Sequence, residues 1–315
     1  MGRLLSFCSV PAAGVLRFLL ELLPCLLIGF WIGGQHPNLA GRFAVPLVRF
    51  GVPISVMGLL LKSGLHGDVL QAAGLAVLAV STVLLVGSWR SKALGLVTPS
   101  LLLGSCIGNT AYFGVPLALA FLPPEALTVT IGYDLGATLL TWSVGPQLLG
   151  AAAASRWLAL RQLLISMGRS PATRGLMGAL LIQLTPWRAA ITEGLWWPSR
   201  IVIVLALMVV GMRLGSLTRQ GNPPSLIGAG LGPALVVKLL LYPLLLLMLG
   251  VLFGLDPLMV QALALQGAAP TAISILLIAE SVGRDQERAA ALVFWSTVLA
   301  VLTAPVWGFM LQVLV

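Results

Sequence analysis

The chain has 315 residues, 59% of them hydrophobic and 9% charged, with a mean hydropathy of +1.04. About a quarter of a soluble domain's residues are charged, so this composition excludes a water-soluble globule and makes a bilayer the solvent for most of the surface. The formal net charge of +9 does not point to nucleic acid, because the basic residues sit in short gaps between apolar runs, where they set membrane topology.

Ten apolar runs follow one another: 15–34, 43–62, 69–89, 100–122, 127–154, 174–187, 195–215, 226–249, 257–280 and 289–313. Most approach the roughly 20 residues that cross a hydrocarbon core as a helix. The first is too long and too embedded for a cleaved signal peptide. The sixth is the shortest, bounded by Pro171 and Pro186. The longest polar gap, Ser155 to Thr173, divides the chain into 1–154, a connecting loop 155–173, and 174–315.

Lysine and arginine in the gaps predict orientation. Eleven lie in odd-numbered gaps, among them Arg42, Arg90, Lys92, Arg156 and Arg213, against four on the other side: Arg3, Lys62, Arg188 and Arg200. This asymmetry puts the odd gaps and the loop 155–173 in the cytoplasm and both termini outside, in a multi-pass protein of the inner (plasma) membrane. Cys8, Cys25 and Cys106 have no metal-ligand spacing and read as small buried hydrophobes. Pro24 before Cys25 removes a lipoprotein reading.

The halves resemble each other. Met57–Ser63 aligns with Val210–Ser216 and Thr141-Trp142-Ser143 with Phe294-Trp295-Ser296, both at an offset of 153, and Pro116 aligns with Pro270 at 154. Five spans per half is odd, so the second copy must insert upside down, an arrangement found in secondary transporters with the site near the midplane. The fold expected is an all-α membrane protein of ten transmembrane helices in two inverted five-helix repeats.

The fourth run contains Gly104-Ser105-Cys106-Ile107-Gly108-Asn109-Thr110-Ala111-Tyr112-Phe113-Gly114-Val115-Pro116. Proline removes a backbone donor and glycine adds freedom, which together predict a helix break at membrane depth. The freed backbone groups must face protein, water or ligand. The ninth run carries the partner break, Leu265-Gln266-Gly267-Ala268-Ala269-Pro270-Thr271-Ala272-Ile273-Ser274. Ordinary proline kinks are the alternative reading. The Asn109 and Gln266 amides, costly without partners, favour a binding site. Positive half-helix N-termini suit it to an anion.

Charged residues within spans are functional candidates. Asp134, between Gly132 and Gly136, has two equal readings: a proton or cation relay, or a structural carboxylate. Lys238 could neutralise Asp134 or a bound anion, although snorkelling to the interface is the preferred reading. Glu280 is expected to contact water, and Arg17 to pair with Glu21. Gly29…Gly33, Gly132…Gly136 and Gly228…Gly232 have the spacing of close helix contacts. His36 and His66 give no metal signature. No P-loop or nucleophilic triad appears, so neither ATP-driven pumping nor enzymatic catalysis is expected.

At Gly108–Pro116 the chain resembles the auxin efflux carrier family in its bacterial branch. Ala268-Ala269-Pro270-Thr271 is similar to the family's second crossover, and Asp134-Leu135-Gly136 to its fifth helix. The resemblance implies a fold shared with bile-acid symporters and sodium/proton antiporters, with helices four and nine broken and crossed. It implies transport of small organic anions, auxin-like or carboxylate, and makes a homodimer plausible. Asn109, Pro116 and Pro270 would line the site, joined in our reading by Thr110, Tyr112, Gly114, Gln266, Thr271 and Ser274. The loop between helices five and six is shorter than in plant members, the second crossover lacks an asparagine, and Tyr133 stands where antiporters carry a second aspartate. No cofactor or metal is expected beyond proton or sodium coupling. The expected function is a secondary organic-anion carrier. A sodium-coupled symporter of the bile-acid type is the alternative, and a non-transporting sensor a third reading, disfavoured because no soluble domain offers an output surface.

Overall fold

The structure, a computed structural model, describes residues 2–64, 67–91, 93–150, 161, 164–165, 168–169, 171–219 and 230–315, with the side chains of 2–15, 17 and 172 excepted. His66, Lys92, Arg156, Gly228 and most of the loop 155–173 lie outside the described residues, as do the side chains of Arg3, Cys8 and Arg17.

The described residues are helical, with no strand among them. In chain order the helices are α1 (Gly2–Gln35), α2 (Leu39–Pro46), α3 (Val52–Ser63), α4 (Gly67–Trp89), α5 (Pro99–Gly104), α6 (Val115–Phe121), α7 (Ala126–Leu149), α8 (Pro171–Gln183), α9 (Arg188–Arg219), α10 (Leu231–Val236), α11 (Tyr242–Leu252), α12 (Pro257–Ala268), α13 (Ile273–Val282) and α14 (Gln286–Leu314). Six described segments are long and apolar enough to cross a membrane: Phe18–Gln35, Leu39–Ser63, Gly67–Trp89, Arg188–Arg219, Leu231–Leu252 and Gln286–Leu314. Thr110–Phe121 and Ile273–Val282 are apolar but shorter. Large side chains such as Leu20, Trp31, Leu85, Leu205 and Leu302 stand exposed on the outside, as a lipid-facing surface requires.

Three single π-turns, Leu47–Gly51, Thr110–Gly114 and Val237–Leu241, interrupt these segments. Each ends two residues before a proline: Pro53, Pro116 and Pro243. A proline ring clashes with the carbonyl four residues back. In all three places the residue before the proline donates to the carbonyl five residues back: Val52 to Leu47, Val115 to Thr110 and Tyr242 to Val237. The widened turn makes room for the ring while the helix continues.

Inside lipid, apolar area does not drive helix association, and backbones approach where residues are small. Gly29 and Gly33 of α1 lie on the backbone of Met208 and Met212, while Gly211 and Gly215 of α9 lie on that of Leu26 and Phe30. The paired numbers rise together, so α1 and α9 run parallel. Arg219 at the end of α9 donates to the Gly34 carbonyl. Gly132 and Gly136 of α7 meet Val69 and Ala73 of α4 in the same parallel sense, and Gly175 and Gly178 of α8 meet Pro53 and Met57. The close contacts expected at Gly29…Gly33 and at Gly132…Gly136 are therefore present. Gly232 is different: a side chain there would meet open space, because it sits on the outer face of α10.

Candidate functional site

Two helices stop at the same level. After α5 the chain leaves the helix through Ser105–Asn109, and after α12 through Ala269–Ala272, where Ala269 and Ala272 are extended. The two irregular stretches cross and form one antiparallel bridge, with Gly108 opposite Thr271. Asn109 N–H donates to the Pro270 carbonyl at 2.7 Å, and Ala272 N–H to the Ile107 carbonyl at 3.1 Å. Backbone groups freed by the two breaks thus satisfy each other away from lipid.

Side chains complete the crossing. Thr271 Oγ1 donates to the Gly104 carbonyl at 2.8 Å, covering the open end of α5, and Thr271 N–H donates to Ser296 Oγ at 3.0 Å. Lys238 Nζ donates to the Gly267 carbonyl at 2.8 Å near the end of α12 and lies 4.8 Å from the centre of the Tyr242 ring. Tyr242 in turn shares a 2.6 Å hydroxyl contact with Tyr133 of α7. Lys238 is fully buried. It neither snorkels nor meets Asp134; the preferred snorkelling reading gives way because its ammonium is held on the Gly267 carbonyl inside the packing.

On the other side of the crossing opens a cavity with about 760 Å³ of space between atoms, its mouth included. One wall is the crossing itself, Gly108 through Tyr112 and Ala272 through Ser274, with Leu277 of α13 and Asp134, Thr138, Thr141 and Trp142 of α7. The rest of the lining comes from Ala44 of α2, Leu47 and Val48 of the π-turn that follows it, Val52, Ser55 and Val56 of α3, and Ala206 and Val209 of α9. Both helices that restart after the breaks, Thr110–Phe121 and Ile273–Val282, begin at this cavity, and helix N-termini present unpaired N–H groups and positive dipole ends.

Asp134 is the one acidic side chain in the lining. Thr110 Oγ1 donates to its Oδ1 at 2.5 Å and Thr138 Oγ1 to the same atom at 3.4 Å. Ser55 Oγ of α3 is buried with no protein partner.

Of the residues singled out in the sequence, Asn109, Thr110, Tyr112, Asp134 and Ser274 line the cavity. Pro270 and Thr271 lie within the crossing and shape it without lining the space. Pro116 is buried in α6. Gln266 is fully buried on α12, its carboxamide pressed against Gly114, with neither Nε2 nor Oε1 paired to protein. It faces into the packing because α12 turns its Gln266 face toward the π-turn Thr110–Gly114. Ser55, Thr138, Thr141 and Trp142 were not anticipated; the hydroxyls of Thr138 and Thr141, four and seven residues after Asp134 and so on its helix face, were the available signal for α7. Glu280, expected to contact water, is 35% exposed and is also held by Arg213, Nη1 to Oε1 at 3.0 Å and Nη2 to Oε2 at 3.1 Å. Among the described residues no group of three His, Cys, Asp or Glu is placed to hold a metal ion.

A family model described as a membrane transport protein matches residues 55–308. No curated protein matches the chain.

Proposed function

From the premise that the chain belongs to the membrane transport protein family, which includes the auxin efflux carriers, we propose that it is a secondary carrier exporting a small organic anion, auxin-like or a simple carboxylate. The observation that carries this reading is the cavity at the crossing, where two helices begin side by side beneath hydroxyl and amide groups. An anion there would be held by the N–H groups of the restarting helices, by Asn109, Thr110 and Ser274, and by Ser55 of α3. Lys238 supplies a cation one peptide behind Gly108; a side chain at Gly108 would come within 3.2 Å of its Nζ. Tyr112 and Trp142 offer apolar area to the organic part of the cargo.

Asp134 shares this space. Two negative charges in one desolvated cavity repel strongly, so cargo and a bare Asp134 carboxylate are poor companions. In our reading a proton or cation on Asp134 accompanies the anion, and this couples transport to a gradient.

The architecture we propose has ten spans in two inverted halves, 1–154 and 174–315, joined by a cytoplasmic segment 155–173, with both termini outside the plasma membrane. The parallel contacts of α1 with α9 and of α8 with α3 support it, since exchanging the halves turns one pair into the other. The cavity would then lie on the cytoplasmic side of the crossing. The helices that line it would move as bodies to alternate access. A homodimer belongs to the same proposal.

A second reading, a sodium-coupled symporter of the bile-acid type, draws on the unpaired Gln266 carboxamide beside the crossing, an oxygen donor suited to a hard cation. Uptake of labelled indole-3-acetate and malonate into proteoliposomes, with a pH or a sodium gradient, decides between them. Uptake that follows the pH gradient and falls on Asn109→Ala supports the first reading. Uptake abolished when choline replaces sodium supports the second, and no uptake of either anion under any gradient removes both.

A further inference from the structure

The Arg213–Glu280 pair lies about one helical turn beyond the lining of the cavity. Val209 of α9 and Leu277 of α13 both line the cavity. Arg213 follows Val209 by four residues and Glu280 follows Leu277 by three, which puts both charges on the lining faces one turn further out. Arg213 also sits beside Gly41, one turn before the lining residue Ala44 of α2. The pair therefore borders the cavity on the side where α9 and α13 end and α2 begins.

The pair has the geometry that recognises a carboxylate. Both terminal guanidinium nitrogens engage both Glu280 oxygens, at 3.0 and 3.1 Å, the fork-to-fork arrangement that arginine makes with carboxylates. It is reachable: the Arg213 and Glu280 side chains are 18% and 35% exposed. Its donors are not all used, since Arg213 Nε is buried with no acceptor. The partners belong to different helices, α9 and α13, so the pair is formed only while those two helices are close at this level.

We propose that Arg213 is a second carboxylate site of this carrier, bordering the cavity, and that Glu280 occupies it until the cargo's carboxylate takes its place. The exchange is balanced in charge: the cargo anion takes the guanidinium as Glu280 returns to water. It separates the two helices at this level and spares the cargo a passage beside an unpaired Glu280. A mere latch would respond alike to loss of either partner, whereas an exchange site responds in opposite directions. The inference rests on the carrier reading above, but its test does not depend on transport.

The test is equilibrium binding of labelled malonate, with labelled indole-3-acetate as the second probe, to the purified full-length chain in detergent. Glu280→Ala frees the guanidinium and should lower Kd. Arg213→Ala should raise Kd about tenfold or more, the usual consequence of losing a charge-assisted hydrogen bond, and Arg213→Lys should fall between. In an Asn109→Ala background, which disables the crossing, Glu280→Ala should still bind the probe and Arg213→Ala should not. Glu280→Gln, which keeps the shape of the pair, covers the case in which Glu280→Ala folds poorly. Shifts in the same direction for the two partners, no shift for either, or no binding of either probe to Glu280→Ala overturns the inference. The carrier reading fails separately, when wild-type proteoliposomes move neither anion.

Discussion

The Thr110 hydroxyl donates to the Asp134 carboxylate at 2.5 Å, joining the start of a restarted helix to the polar face of α7. This bond ties the element that would bind cargo to the group that would carry the coupling charge. Asp134→Asn keeps the shape and removes the titration, so transport should persist downhill while the response to a pH gradient disappears. Thr110→Val should retain gradient dependence and weaken the apparent affinity several-fold. Proteoliposome flux under imposed gradients reads both; full gradient response in Asp134→Asn would remove Asp134 from coupling.

Lys238 should contribute to both stability and anion affinity. Lys238→Met keeps the apolar stem but leaves the Gly267 carbonyl without its partner. An unsatisfied buried group costs about 1–3 kcal/mol, visible as a lower thermal midpoint in detergent. Malonate affinity should fall as well, because the cation behind Gly108 is gone. Unchanged affinity in a folded Lys238→Met protein would limit the lysine to a structural role.

A methyl group at Gly114 would collide with the Gln266 carboxamide. Gly114→Ala should therefore destabilise by about 1–3 kcal/mol, the cost of overpacking. Combining it with Gln266→Ala should restore most of the loss, a coupling that a double-mutant cycle measures. Additive losses would show that the two residues do not press on each other.

The α1–α9 contact makes the most severe prediction. Side chains at Gly33 or Gly215 would overlap the backbone of Met212 or Phe30, and backbone cannot step aside as a side-chain tip can. Gly33→Leu and Gly215→Leu should abolish a monodisperse peak in detergent size exclusion, while Gly232→Leu, on an open face, should leave it unchanged.

Much of this was legible in the sequence because its signal is local. Pro270 and the glycines around Asn109 mark helix breaks wherever the chain folds, and Gly29…Gly33 and Gly132…Gly136 mark places where a neighbour can come close. Which face of a broken helix then looks into a cavity is not local. Gln266 and Ser274 both flank the second break, yet one packs against Gly114 and the other lines the cavity, because the crossing rotates the two halves relative to each other. The prolines 53, 116 and 243 were plain in the sequence, but the π-turns before them depend on a hydrogen-bond choice that composition does not encode. Arg213 and Glu280 lie on different helices far apart in sequence, and no spacing rule pairs them.

The bridge between Gly108 and Thr271 fastens two helices at their weakest points, as a rivet fastens two blades. With Asn109 bonded to Pro270 and Ala272 to Ile107, neither broken helix can swing without dragging the other. On the carrier reading the crossing would act as one platform, and a bound molecule would rest on a floor that two helices hold together. In the carrier cycle proposed above, the part left to move is the group α2, α3 and α9, sliding or tilting past that floor.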